Sequence, residues 1–145
     1  MGLLGMFRGK EPAKKASDDI LLLHAMMLMA SIDGVMEPSE IETLEGFINT
    51  LPEFKDADFD VQMAAARKLR AKFNSGQEAV KALGEISSEA VRKKAFILAA
   101  DIAMSSGDVD EAEDAMLDAM QRVLQVEDSL ATKILEVLTL KYARS

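Results

Sequence analysis

Between Ile20 and Ala30 the chain reads Ile-Leu-Leu-Leu-His-Ala-Met-Met-Leu-Met-Ala, eleven residues broken only by His24. Ser17-Asp18-Asp19 stands in front of this run as a helix N-cap with acids in the first turn. Asp33-Gly34 stands behind it as a stop, the glycine supplying the positive φ of a helix end. The segment therefore predicts a helix over Asp18 to Ser31 that is apolar nearly all round. Such a helix has no face to offer water, so other helices must surround it. It is far short of the ~20 residues that a membrane span needs.

The rest of the chain supplies the surroundings. A second helix is predicted from Glu37-Pro38, with proline at the favoured first position and Ile41, Leu44, Ile48 and Leu51 on one face. A third runs from about Asp58 to Phe73 and stops at Asn74-Ser75-Gly76. A short helix follows over about Gly76 to Ile86, with Ser75 and Glu78 spaced as a capping box. Ser87-Ser88 caps a fifth, apolar-rich helix to about Met104. The sixth runs from about Asp110 to Leu124 and the last from about Asp128 to Ala143. No alternating runs joined by hairpin dipeptides occur. The expectation is an all-α, single-domain bundle of about seven helices, with residues 1–16 as a tail and 17–145 as the domain.

Charge and composition narrow the function. The formal net charge is −8. Nucleic acid is therefore not the expected partner, since phosphate binding needs a basic face. Lys68, Arg70 and Lys72, like Arg92, Lys93 and Lys94, read as solvated helix faces. Cysteine is absent, which excludes disulfides, thiolate metal sites and a cysteine nucleophile. His24 is the only histidine and is read as a core residue. The many methionines fall at helical spacing and are read as adaptable core filler. No nucleophile–base arrangement and no phosphate-cradling glycine loop is present, so no enzymatic activity is expected. The tail joins an apolar tip, Met1 to Phe7, to Arg8, Lys10, Lys14 and Lys15. Such a segment suits an anionic membrane surface or packing on the domain.

Sliding the chain on itself by 73 residues places Ala30 on Ala103, Gly34 on Gly107, Glu37 on Asp110 and Glu40 on Glu113. The two copies read Gly34-Val-Met-Glu37-Pro-Ser-Glu40 and Gly107-Asp-Val-Asp110-Glu-Ala-Glu113. They suggest an internal pseudo-two-fold repeat, about 18–73 and about 88–143, which would pack as two helical hairpins. The first copy carries Asp33 before its glycine; the second has Ser106 there and Asp108 after the glycine.

The stretch from Ile32 to Glu40 resembles the Asp-Gly-x-hydrophobic-acid-x-x-Glu signature of the tellurite-resistance TerB-like family, and Met104 to Glu113 resembles its second occurrence. The departure is Ser106, where the family often has aspartate. The resemblance implies an internally duplicated bacterial protein of the tellurite and chemical-stress response. It further implies a cytoplasmic location, peripheral at the inner membrane surface, with membrane-embedded protein partners and divalent metal held by the acids.

The residues themselves allow two readings of the turns. Asp33, Glu37 and Glu40, with Asp108, Asp110 and Glu113, offer oxygen ligands to a hard cation such as Ca²⁺, Mg²⁺ or Mn²⁺. Asp101, one turn before Ser105, is a further candidate. Gly34 and Gly107 let the backbone bend enough to gather these ligands. The spacing is not that of a 12-residue EF-hand loop. Alternatively, Glu37 and Asp110 are N-caps whose partners three residues on complete capping boxes, and first-turn acids suit the helix dipole, each worth about 0.3–1 kcal/mol. Asp101 then lies at the surface or is hydrogen-bonded locally, because a lone buried carboxylate is costly.

Overall fold

The computed structural model describes residues 16–32, 36–105 and 107–143. Seven α-helices follow one another: α1 (Asp18–Ala30), α2 (Pro38–Ile48), α3 (Phe59–Arg70), α4 (Gly76–Ala79), α5 (Glu89–Met104), α6 (Glu111–Leu124) and α7 (Asp128–Lys141). Two 3₁₀ turns, Pro52–Phe54 and Val80–Glu85, lie between them. The described residues contain no strand.

Local chemistry sets most of the boundaries. The Ser17 hydroxyl accepts from the Ile20 amide, Ser88 from Val91 and Ser75 from Glu78, each at 3.2 Å. Asp58 accepts from Asp60 and Val61 at the start of α3. Arg67, Lys68 and Arg70 fall in the last turn of α3, where the helix dipole favours cations. The predicted end of that helix, Phe73, is reached by tightened i→i+3 bonds from Lys72 to Leu69 and from Phe73 to Arg70, so the α-helix stops at Arg70. The predicted fourth helix is one turn of α followed by 3₁₀ winding, which ends helices and connectors well but rarely persists. Gly107, after the end of α5, adopts φ +98°, in the region that favours glycine. Gly34 lies outside the described residues.

The core follows from α1. Every residue from Leu21 to Met29 is buried, and α1 packs against α2, α3, α5 and the Val80–Glu85 turn. The Asp18 carboxylate accepts from the Ser87 and Ser88 amides, each at 3.0 Å, at the head of α5. At the other end, Met29 and Ala30 share a cleft wall with Ile102 and Ser105. The two apolar helices therefore run parallel, side by side, through the centre. Helix α6 runs back along α5, its end tied to the first turn of α5 by Arg92 Nη1 donating to Gln125 Oε1 at 2.9 Å. His24 is fully buried in α1, with Nε2 2.9 Å from the Ala79 carbonyl and its ring 6.2 Å from that of Phe73.

Candidate functional site

The starts of α2 and α6 are capped alike. Glu37 is the N-cap of α2 and Asp110 that of α6, and each opens a reciprocal capping box. Glu40 Oε1 accepts from the Glu37 amide at 2.8 Å. Glu113 Oε1 accepts from the Asp110 amide at 3.1 Å, while Asp110 Oδ1 accepts from the Glu113 amide at 2.8 Å. Each box satisfies amide donors that a helix start otherwise leaves bare. Pro38 holds the first position of α2 and has no amide to satisfy.

Burial separates the acids of each box. Glu37 and Asp110 are exposed, whereas Glu40 and Glu113 are half-buried. The reason is direction. A side chain one turn into the helix lies against the neighbouring helix, while the cap residue points back into solvent. Glu40 and Glu113 consequently line one cleft of about 230 Å³, where the end of α1 and the end of α5 meet the starts of α2 and α6. Met29, Leu44 and Ile102 supply apolar wall. Ser39, Thr43 and Ser105 add hydroxyls to the rim. Burial raises the Glu113 carboxyl above its ordinary value; the Asp110 amide bond pulls the other way and the Asp110 charge reinforces the rise.

The other predicted ligands are placed differently. Asp101 is buried on α5, but it faces α7: Lys141 Nζ donates to its two oxygens at 2.9 and 3.1 Å, and the Tyr142 hydroxyl donates to Oδ1. It is thus hydrogen-bonded across helices and is not part of the cleft wall. Asp108 is exposed on the turn before α6. Asp33 and Gly34 lie outside the described residues. Among the described residues no group of three or more His, Asp or Glu side chains is arranged to hold a metal ion. The hydroxyls of Ser39, Thr43 and Ser105 were not anticipated from sequence. Thr43 stands three residues after Glu40, on the same helix face, which is the one signal that could have found it.

The family model for tellurite resistance protein TerB matches residues 20–135. The chain belongs to the TerB family. The chain matches no curated protein and no solved structure significantly. The TerB match takes in both acidic turns and the helices that frame them, from α1 well into α7. It ends before Lys141 and Tyr142, so the Asp101 tie joins a residue of the TerB span to two residues beyond it. No described helix of this TerB-family chain is long and apolar enough to cross a membrane.

Cation chemistry can be tested against the TerB cleft as it stands. Glu40 and Glu113 each commit Oε1 to a box amide and leave Oε2 outside the box, while the Thr43 and Ser105 hydroxyls of the same cleft donate to the Ser39 and Ile102 carbonyls. Mg²⁺ keeps several waters and is commonly held through one or two carboxylates. The donor set is all oxygen, with no sulfur or imidazole, which suits hard cations and not softer metals. In donor type the residues present fit a hydrated hard cation, for which Glu40 and Glu113 would be the carboxylate donors.

Proposed function

We propose that this TerB-family chain is a non-enzymatic helical module that takes up a hard divalent cation, Ca²⁺, Mg²⁺ or Mn²⁺, between Glu40 and Glu113. The observation that carries this is that the third residues of two capping boxes, 73 positions apart in sequence, share one cleft. Burial in the cleft disfavours the charged form of Glu113. A cation would offset that cost and tie the α1–α2 half of the chain to the α5–α6 half. The role we assign is a step in the tellurite and chemical-stress response, at the cytoplasmic side of the inner membrane, with protein partners reading the cation-bound form.

Glutamine separates this proposal from simple capping. In Glu40→Gln/Glu113→Gln the amide oxygen can still accept the N-cap amide, so the boxes persist while the charge is gone. Calorimetric titration of metal-stripped protein should show saturable heat, and cation at 100 times Kd should stabilise the fold by about 2.7 kcal/mol. The double variant should lose both effects while melting like the stripped parent. No heat and no shift at millimolar cation would leave the acids as caps only.

A second reading, a metal-free interaction module, is favoured by one observation. Val137 and Leu140 on α7 stand 64% and 77% exposed. Apolar side chains so placed suit a partner surface. In that case cation leaves the protein unchanged and partner capture depends on α7.

A further inference from the structure

A second cleft, of about 570 Å³, lies between α5, α6 and α7. Its floor is apolar, with Phe96 and Leu117 buried and Met104 and Leu135 partly so. Its rim is acidic, from Glu111, Asp114 and Asp118, one after another along α6, with Asp118 also paired at 2.5 Å to Arg122 on the exposed side of the helix. Leu135 and Thr139 also line an adjoining cleft that reaches Leu140. The apolar surface thus continues along α7, the helix that carries the two most exposed large apolar side chains of the described residues.

The sequence holds a segment of matching character. Residues 1–15 carry four basic residues, Arg8, Lys10, Lys14 and Lys15, against the single acid Glu11, a formal charge of +3. A chain of net charge −8 therefore has −11 on the remaining residues. The apolar residues Leu3, Leu4, Met6 and Phe7 come just before the basic ones. The order is apolar then basic, and the cleft offers an apolar floor with an acidic rim.

Length and position also agree. Ala16 packs on the core beside the start of α1, at the end of the bundle where Asp18 meets the head of α5. Gln121, which lines the cleft, lies one turn before the Arg92–Gln125 link at this same end. Nine residue steps separate Phe7 from Ala16, a reach of about 30 Å. Helix α5, with 16 residues, is about 24 Å long. Fully extended, this linker is longer than α5, along which the cleft runs. Tethering makes the encounter intramolecular, at millimolar effective concentration for a short linker.

We propose that the N-terminal segment is the occupant of this cleft, with Leu3 to Phe7 on the floor between α5, α6 and α7 and the basic residues against Glu111, Asp114 and Asp118. An anionic membrane is the competing seat for such a segment. The body of the chain, at −11, is repelled by that surface, while the same charge draws the tail to its own domain. The proposal is independent of cation uptake at Glu40 and Glu113.

The absence of cysteine allows a unique nitroxide label through Gly5→Cys in the full chain. Amide signals around Asp114, Leu117 and Leu135 should be broadened to loss, with those of α3, which forms no part of the cleft, left sharp. Asp114→Lys/Asp118→Lys should abolish the broadening with helicity unchanged, since both side chains are exposed. Adding Arg8→Glu/Lys10→Glu to that variant should restore it. Broadening that is absent, spread evenly over the helices, or indifferent to the charge reversals would overturn the proposal. So would broadening passed from a labelled chain to a separate isotope-enriched copy, which would make a second molecule the occupant. Tail signals that respond only to phosphatidylserine vesicles, with the cleft unaffected, would assign the segment to membrane.

Discussion

Replacing Asp101 should release the end of α7, and its cost can be worked from the contacts it makes. The carboxylate accepts from Lys141 Nζ and from the Tyr142 hydroxyl. Lys141 is half exposed, its side chain at 51% against 11% for Asp101, so the ion pair itself contributes only about 0.2–1 kcal/mol. The hydroxyl bond to a charged and buried acceptor is the larger contribution, about 1.5–3 kcal/mol. Asp101→Ala should therefore destabilise by roughly 2–3 kcal/mol, since both former partners can turn to water. At about 4 °C per kcal/mol for a domain of this size, melting should fall by about 8–12 °C. Urea unfolding of the parent, Asp101→Ala, Tyr142→Phe and the double variant closes a cycle. Its coupling energy should be at least about 1.5 kcal/mol, with an unchanged m value. A coupling below about 0.5 kcal/mol, the level at which independent sites add, would refute the assignment of the Tyr142 bond as the main tie. The alkaline side offers a separate check. Asp101 holds the Lys141 ammonium above its ordinary 10.5. Burial, then Asp101, holds the Tyr142 phenol above its ordinary 10.0. Both groups bind their protons more tightly in the fold, so their contribution is intact below pH 10 and declines as pH rises through the folded values.

Three further outcomes are expected. Burial pushes the His24 imidazole below its ordinary 6.5, against the pull of the Ala79 carbonyl and with the help of nearby Arg70. The unfolded chain then takes up a proton that the fold refuses, so stability should hold above pH 6.5 and fall as pH drops below it; His24→Met should flatten that acid slope in pH-resolved urea unfolding, and an unaltered slope would count against it. Gly107→Ala meets no atom within 4 Å of the new Cβ, so its loss should be the backbone cost of a positive φ, about 1–2 kcal/mol, with cation heats unchanged. Leu22→Ala, at a fully buried position of α1, should cost about 3–5 kcal/mol in chemical denaturation; a loss below 1 kcal/mol would mean that the centre of the bundle collapses to fill the space.

The helices were legible because their signals are local. Ser17, Asp58, Ser75 and Ser88 announce starts through side-chain bonds that span two or three residues. The apolar run of α1 announces its burial without reference to any partner. The capping boxes were equally legible, since Glu37–Glu40 and Asp110–Glu113 are contained within one turn each. What sequence did not contain is direction across the bundle. It grouped the acids of each turn as equals, whereas the fold sends Glu40 and Glu113 into one cleft and leaves Glu37 and Asp110 in solvent. It offered Asp101 to the turns, whereas the partners of Asp101 lie 40 and 41 residues away, at the last residue of α7 and at its C-cap. The Lys94–Glu53 pair, at 2.5 Å and spanning 41 residues, was invisible for the same reason. Pairings of that kind depend on how helices roll against one another, which no short window of sequence encodes.

The parallel pairing of α1 and α5 bears on how the chain reaches its fold. Antiparallel neighbours can zip from a short connection, but two parallel helices cannot. The contact between Asp18 and Ser88 spans 70 residues, and closing a flexible loop of that length costs about 4 kcal/mol beyond the fixed term. The central core must therefore be assembled from distant parts before it repays the entropy of assembly. This places the chain at the slow, non-local end of helical folders. It also means that until α5 emerges from the ribosome, the face of α1 that α5 covers is bare, although α2, α3 and the Val80–Glu85 turn can already pack on its other sides, and such a bare apolar face exposes the nascent chain to aggregation.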